Sequence, residues 1–255
     1  MGDPEALAAA IDDAHAGGRL LDAAAAPTLE LDTAYLVQQL LTGRRTARGA
    51  RRIGWKLGYT SAAMRAQMGV DRPNLGPLLD VMLVTGGRLP QGLVQPRVEP
   101  EIAVEVARDG GPGRAYAAVE IVDSVWRDYR FTLELNTADG SSAAGVVLGP
   151  ELVSGLGSGP GSGSGSELDR RALDDLPVEL ERNGRPVGTA TGAAAMGHPF
   201  KALAWLAEEL DRRGERLREG DLILTGGLTA AVPLNPGDTV GATFGSGIRV
   251  EVRRP

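Results

Sequence analysis

Residues 97–106, Arg-Val-Glu-Pro-Glu-Ile-Ala-Val-Glu-Val, constrain the chain more than any other stretch. Read with a period of two, Val98, Ile102, Val104 and Val106 share one side, and Glu99, Glu101 and Glu105 share the other. The stretch is expected to be a strand with an apolar back and an acidic front. Its back needs a hydrophobic layer and its front needs countercharge. Glu99 and Glu101, two residues apart, point the same way about 7 Å from each other along a strand, so both reach one cation. Solvent and salt neutralise such a face if it is exposed; burial calls for a divalent metal.

Composition narrows the setting. The 255 residues suit one large domain or two small ones. Cysteine is absent, which excludes disulfides, thiolate metal sites and cysteine nucleophiles. The net charge is -6 and no long Lys/Arg run offers a nucleic-acid groove. The pairs Arg44-Arg45 and Arg51-Arg52 read as helix-end and loop solvation. No apolar run reaches about 18 residues, and the acidic N-terminus lacks the pattern of a signal peptide. A cytoplasmic, soluble protein without nucleic-acid or membrane partners is expected. With 4% aromatics and 36 glycines the core should be aliphatic and the turns many.

Asp3-Pro4-Glu5 caps and opens an Ala-rich helix ending at Gly17-Gly18, and Asp32–Thr42 is a second amphipathic helix closed by Gly43. These form a helical section over residues 1–50, with a β-rich metal-binding domain over 51–255. A short strand over 53–58 is followed by a helix capped by Thr60 or Ser61 and ended by Gly69. Strands are expected near 78–84, 97–107, 115–123, 145–149, 177–182, 186–190, 221–225, 239–244 and 248–253. Asn183-Gly184 is a hairpin turn, Asn235–Asp238 another turn, and one helix runs from Pro199 to Arg213. Gly155 to Ser166, almost all Gly and Ser, should be a flexible loop inside the domain. The fold class is therefore α+β, a mixed β-roll or barrel-like sandwich preceded by helices.

Glu120 interrupts the apolar run Val119–Val122, where a lone carboxylate is costly unless paired or metal-bound. If that strand lies beside 97–107, Glu99, Glu101 and Glu120 form an oxygen-only cluster suited to Mg²⁺ or Mn²⁺. Lys56, between Trp55 and Leu57, is either a snorkelling edge-strand lysine or a buried partner of such a site.

These residues resemble a family. Gly54-Trp55-Lys56-Leu57-Gly58-Tyr59-Thr60-Ser61, Gln95-Pro96-Arg97-Val98-Glu99-Pro100-Glu101-Ile102-Ala103 and Val119–Ser124 are similar to segments of the fumarylacetoacetate hydrolase superfamily. So are Gly197-His198-Pro199, Leu224-Thr225-Gly226 and Pro236–Thr239, and the nearest branch holds 2-keto-4-pentenoate hydratases and 4-oxalocrotonate decarboxylases. The resemblance covers about residues 30–253. It implies the family's C-terminal-domain fold and a Mg²⁺ or Mn²⁺ site at Glu99, Glu101 and Glu120. It also implies a 2-oxo acid chelated by the metal, which holds the dienolate. Lys56 matches a pocket lysine that assists proton transfer, and Thr225, with Gly226 beside it, matches a position close to the substrate carboxylate.

Pro73-Asn74-Leu75-Gly76 stands where family hydratases commonly carry Pro-Asp-aromatic-Gly. Asn74 can orient a water or a substrate hydroxyl but cannot act as a base. His15 reads as a solvated helix residue and His198 as a helix cap, so neither supplies the catalytic histidine of hydrolytic members. No Gly-x-Ser-x-Gly, P-loop or dinucleotide pattern is present. The expectation is a metal-dependent lyase hydrating a 2-hydroxy-2,4-dienoate to a 4-hydroxy-2-oxo acid, acting as a homo-oligomer. The rivals are decarboxylation of a 2-oxo-enedioate and a non-catalytic metal-binding subunit.

Overall fold

The computed structural model describes residues 3–85, 89, 92–153 and 172–255. The loop expected over Gly155 to Ser166 lies outside the described residues. Helix α1 (Pro4–Ala16) begins at Asp3, whose side chain accepts from Glu5 N, with Pro4 at the first helical position. Helix α2 (Leu31–Ala47) packs on it, joining Ile11 and Ala14 to Ala34, Val37 and Leu41. This helix runs through Gly43 instead of stopping there. The reason is polar: Asp12, buried on α1, takes Arg44 Nε at 2.9 Å and both terminal nitrogens of Arg48 at 2.7 Å. Burial alone would raise the Asp12 carboxyl, but the bonds from Arg48 and Arg44 outweigh it and hold the group low. Arg44 is thus a clamp between the helices, while Arg51 pairs with Asp80 but stays exposed, as loop solvation requires, and Arg52 lies over Trp55.

The larger sheet contains β1 (Arg52–Gly58), β2 (Asn74–Leu79), β3 (Arg97–Val106), β4 (Pro112–Val122), β5 (Ala143–Val153) and β8 (Leu222–Leu224). Its order is β2-β1-β8-β3-β4-β5, with β9 (Val232–Pro233) paired to the start of β3, and it does not close into a barrel. The smaller sheet orders β11 (Ile248–Arg253), β10 (Thr239–Phe244), β6 (Pro177–Arg182) and β7 (Arg185–Thr191). Asn183 and Gly184 make the β6–β7 turn with φ of 54° and 73°. Helix α5 (Pro199–Arg212) starts at His198, whose Nδ1 accepts from Phe200 N, as expected of a cap.

The apolar back of β3 meets the smaller sheet and α5: Val98, Ile102, Val104 and Val106 share a core with Leu180, Val240, Phe244 and Leu206. A mixed α+β sandwich with an open roll results. The acidic front is covered too, because Ala103 and Ala118 leave room for Leu79, Val146 and Leu224. Besides α2, and β9, for which no strand was expected, two more elements differ from expectation. The strand placed near 78–84 is Asn74–Leu79, ended by a 3-10 turn at Asp80–Met82; Asp80 breaks it by accepting Arg51 N and Nε. A short helix α4 (Leu133–Ala138), capped by Thr132, went unseen because its six residues carry too little periodicity. Among the described residues no helix is long and apolar enough to cross a membrane.

Candidate metal centre and active-site cavity

Register brings the centre together. On β3 and β4, Glu99 stands opposite Glu120, and Glu101 follows Glu99 on the same face. Lys56 on β1 pairs with Leu224 of β8, which pairs with Ala103, so the lysine falls on the carboxylate face as well. One carboxylate oxygen from each of Glu99, Glu101 and Glu120 lies within 4.8 Å of the others. Glu101 and Glu120 are 0% exposed and Lys56 is 3% exposed. The surface reading of both features is excluded.

The charges are unequal. Lys56 Nζ sits 3.2 Å from Glu120 Oε2 and donates to the Ser141 carbonyl at 2.8 Å; Glu101 Oε2 accepts Gly226 N at 2.8 Å. Glu101 Oε1 and Glu120 Oε1 have no hydrogen-bond donor, and Glu120 Oε2 has only the Lys56 ammonium. Burial first, and the charge of Glu120 second, push Glu99 up to about 8. The same two causes, with Glu99 added, push Glu101 well above the carboxylate range. Burial opposes the Lys56 ammonium, but Glu120, Glu99 and Glu101 outweigh it and hold the lysine charged. Three carboxylates against one ammonium, with undonated oxygens converging and no sulfur or imidazole in the cluster, fit a hard divalent cation. The following loop must be bare: a Cβ on Gly227 would stand 2.3 Å from Glu99 Oε2.

The Ser141 carbonyl that receives Lys56 belongs to a strained turn. Gly140, Ser141 and Ser142 all have left-handed φ, 66°, 56° and 58°. Asn74 holds that turn. Its Oδ1 accepts from Ser141 Oγ at 2.8 Å, and its Nδ2 donates to Asn136 Oδ1 and Thr137 Oγ1, both at 2.9 Å. Asn136 in turn donates to Ser142 Oγ. Asp139, just before the turn, accepts from Ser124 Oγ at 2.7 Å and Val125 N at 3.1 Å, and meets His15 Nε2 at 2.7 Å. His15 is therefore an anchor between α1 and the turn, not the solvated residue expected.

A cavity of about 300 Å³ opens beside the cluster, lined by Lys56, Glu99 and Ser141 with apolar Met64, Met68 and Phe131. Arg97 also lines it, its guanidinium 4.2 Å over the Tyr129 ring. Of the expected site residues Lys56 and Glu99 line it, whereas Glu101, Glu120, Gly226, Asn74 and Thr225 do not. Asn74 is fully buried behind the wall, closed into the bonds above. Thr225 is fully buried and its Oγ1 donates to the Ile102 carbonyl at 2.8 Å. Gly226 stays at the centre through its N–H on Glu101. Sequence reasoning missed Ser141, whose only signal was Gly140 before two serines, and Thr60, which was read as a cap.

A family model described as fumarylacetoacetate (FAA) hydrolase C-terminal matches residues 81–252. The chain belongs to the fumarylacetoacetate hydrolase family. A 4-oxalocrotonate decarboxylase of Pseudomonas sp. (strain CF600) is 36% identical over 228 residues, 84% of this chain and 81% of that one. A 2-keto-4-pentenoate hydratase of Burkholderia vietnamiensis is 33% identical over 252 residues, 92% of this chain and 91% of that one. In structure, a 4-oxalocrotonate decarboxylase from Pseudomonas putida, complexed with magnesium and adipate, superposes with a TM-score of 0.86 at 31% identity. That match covers 99% of this chain and 97% of the other. This member of the fumarylacetoacetate hydrolase family is thus an enzyme of the hydratase and decarboxylase branch, a metal-dependent lyase.

Proposed function

We propose that the protein decarboxylates a small 2-oxo-enedioate of the 4-oxalocrotonate type, with Glu99, Glu101 and Glu120 holding the divalent cation. The observation that carries this choice over hydration is the state of Asn74. Where a hydratase of the family commonly has an acid, this chain has an amide whose donors and acceptor are already bonded to Asn136, Thr137 and Ser141. Such a group neither activates water nor reaches it. Decarboxylation needs no such base.

When bound, the cation supplies Lewis acidity toward the 2-oxo acid end of the substrate. The chain's own groups do the rest. Lys56, held by the Ser141 carbonyl, faces the negative charge that grows as the C–C bond to the departing carboxylate breaks, and is placed to return a proton. Met64, Met68 and Phe131 give the other side of the cavity low polarity, which favours loss of a charged carboxylate and keeps water away. Arg97, also in the wall, is a cation that draws the dianionic substrate toward the cavity.

Hydration of a 2-hydroxy-2,4-dienoate is the second reading, supported by the 33% identical hydratase. The purified protein with Mg²⁺ is to be given each substrate in turn, with ultraviolet loss and CO₂ release followed together. CO₂ release from the enedioate is expected. Consumption of the dienoate alone would establish hydration, and no reaction with either would leave a non-catalytic subunit. The same reading takes a small-molecule 2-oxo acid as partner, with neither nucleic acid nor membrane, and a cytoplasmic homo-oligomer, which light scattering can test.

A further inference from the structure

Among the buried polar atoms without a hydrogen-bond partner are Glu101 Oε1, Glu120 Oε1 and Thr60 Oγ1. The carboxylate oxygens are accounted for by a cation. The hydroxyl is not, and burying an unbonded hydroxyl lowers stability.

Its surroundings show how it comes to be unbonded. Ser61, not Thr60, caps α3 (Ala62–Met68), its Oγ accepting from Met64 N. The backbone before the helix is fixed, because Arg65 Nη1 donates to the Tyr59 and Thr60 carbonyls at 2.7 and 3.0 Å. Tyr59 itself has a left-handed φ of 58°. Thr60, 2% exposed, is thereby turned inward, where it lines the cavity beside Lys56 and Glu99. Opposite it lies Gly226. A Cβ there would stand 2.0 Å from Thr60 Oγ1, and its φ of +108° disfavours any side chain. The neighbouring N–H of that glycine is the donor that Glu101 accepts. The Thr60 hydroxyl therefore packs on the peptide that also fixes a metal-holding carboxylate. Thr225 cannot fill the same role, since its hydroxyl is bonded to the Ile102 carbonyl.

We infer that Thr60 is a substrate-binding residue whose hydroxyl donates to a carboxylate oxygen of the 2-oxo acid held at the Glu99–Glu101–Glu120 centre. This rests on the 2-oxo acid reading of the site. The ligand-free protein carries an unmet donor, and the ligand meets it. Two effects of Thr60→Val, which keeps the shape and removes the hydroxyl, then have opposite signs. The metal-free protein should become more stable, while the ligand should bind less well. A hydroxyl with only a structural role would lower stability when lost.

The test uses the full chain, oxalate as the 2-oxo acid probe, and two readouts. Calorimetric melting in chelator should show Thr60→Val about 2–4 °C above the parent. Titration with Mg²⁺ alone should give an affinity within about threefold of the parent. Oxalate binding in saturating Mg²⁺ should weaken by about tenfold or more, and Thr60→Ser should restore it. Thr60→Ala provides a second loss of the hydroxyl and should weaken oxalate to a similar degree. Oxalate affinity unchanged in Thr60→Val overturns the proposal, as does a lower melting temperature or failure to fold. A parent that binds Mg²⁺ but not oxalate would instead overturn the 2-oxo acid reading beneath it.

Discussion

Replacing Lys56 by methionine separates the electrostatics of the centre from its chemistry. Methionine keeps the length and the apolar stem and removes one ammonium, 3% exposed, from beside Glu120 at 3.2 Å and the Ser141 carbonyl at 2.8 Å. Breaking a buried ion pair by removing one partner costs about 3–5 kcal/mol. For a chain of this size roughly 2–4 °C corresponds to each kcal/mol, so in chelator the melting temperature should fall by roughly 6–20 °C. Added Mg²⁺ should recover much of that loss, because the three carboxylates that hold it are intact and have lost a competing cation. Turnover of the enedioate at saturating Mg²⁺ should nevertheless fall by roughly 10²–10⁴-fold, the usual contribution of a positioned proton-transfer group. Differential scanning calorimetry with and without metal, beside steady-state CO₂ release, gives all three numbers. Turnover within about threefold of the parent would falsify the chemical role of Lys56. An unchanged melting temperature in chelator would refute the ion-pair reasoning.

Glu101→Gln keeps an acceptor for Gly226 N and removes a buried charge; it should abolish the melting-temperature gain on adding Mg²⁺ while leaving the metal-free protein at least as stable, read by the same calorimetry. In chelator the stability should fall as pH rises from about 5 to 8. Glu99 is pushed up to about 8 and Glu101 is also raised, so the folded state binds more protons than the unfolded one and loses its advantage as they leave. A flat profile over that window would sink this account of the cluster. Asn74→Asp should destabilise by about 1–3 kcal/mol, since an ionised acid cannot donate to Asn136 Oδ1 or Thr137 Oγ1. Chemical denaturation measures that loss, and the variant assayed on the dienoate should gain no hydration activity.

The two faces of β3 were legible because alternation alone assigns them: Val98 and Ile102 went to the core, Glu99 and Glu101 to the site. The Asn183-Gly184 hairpin and the His198 cap were legible for equally local reasons. What covers the acidic face was not, since Leu79 and Val146 arrive from distant strands. Thr225 shows the limit most clearly. Leu224 faces the carboxylates, so its neighbour must turn away, but that parity follows only once the pairing of β8 with β3 is known. Thr60 and Ser61 were interchangeable as caps on paper, and the backbone before α3 decided between them. His15 was misread because its partner, Asp139, lies 124 positions away.

The region matched by the family model begins at residue 81. Glu99, Glu101 and Glu120 lie inside it, whereas Lys56, Thr60 and Asn74 lie on β1, the turn after it and β2, all upstream. The β1–β2 hairpin enters the sheet through the edge of β8 alone, by three residue pairs from Gly54 to Lys56. On the proposed reading, cation holding and proton handling fall on separate pieces of chain, joined by that short ladder and by the bonds of Lys56 and Asn74 to the turn at Ser141. A designer could graft a different strand pair against β8, carrying another base where Lys56 stands, and leave Glu99, Glu101 and Glu120 untouched. The carboxylate cluster would then serve as a fixed socket, and the reaction as the tool fitted into it.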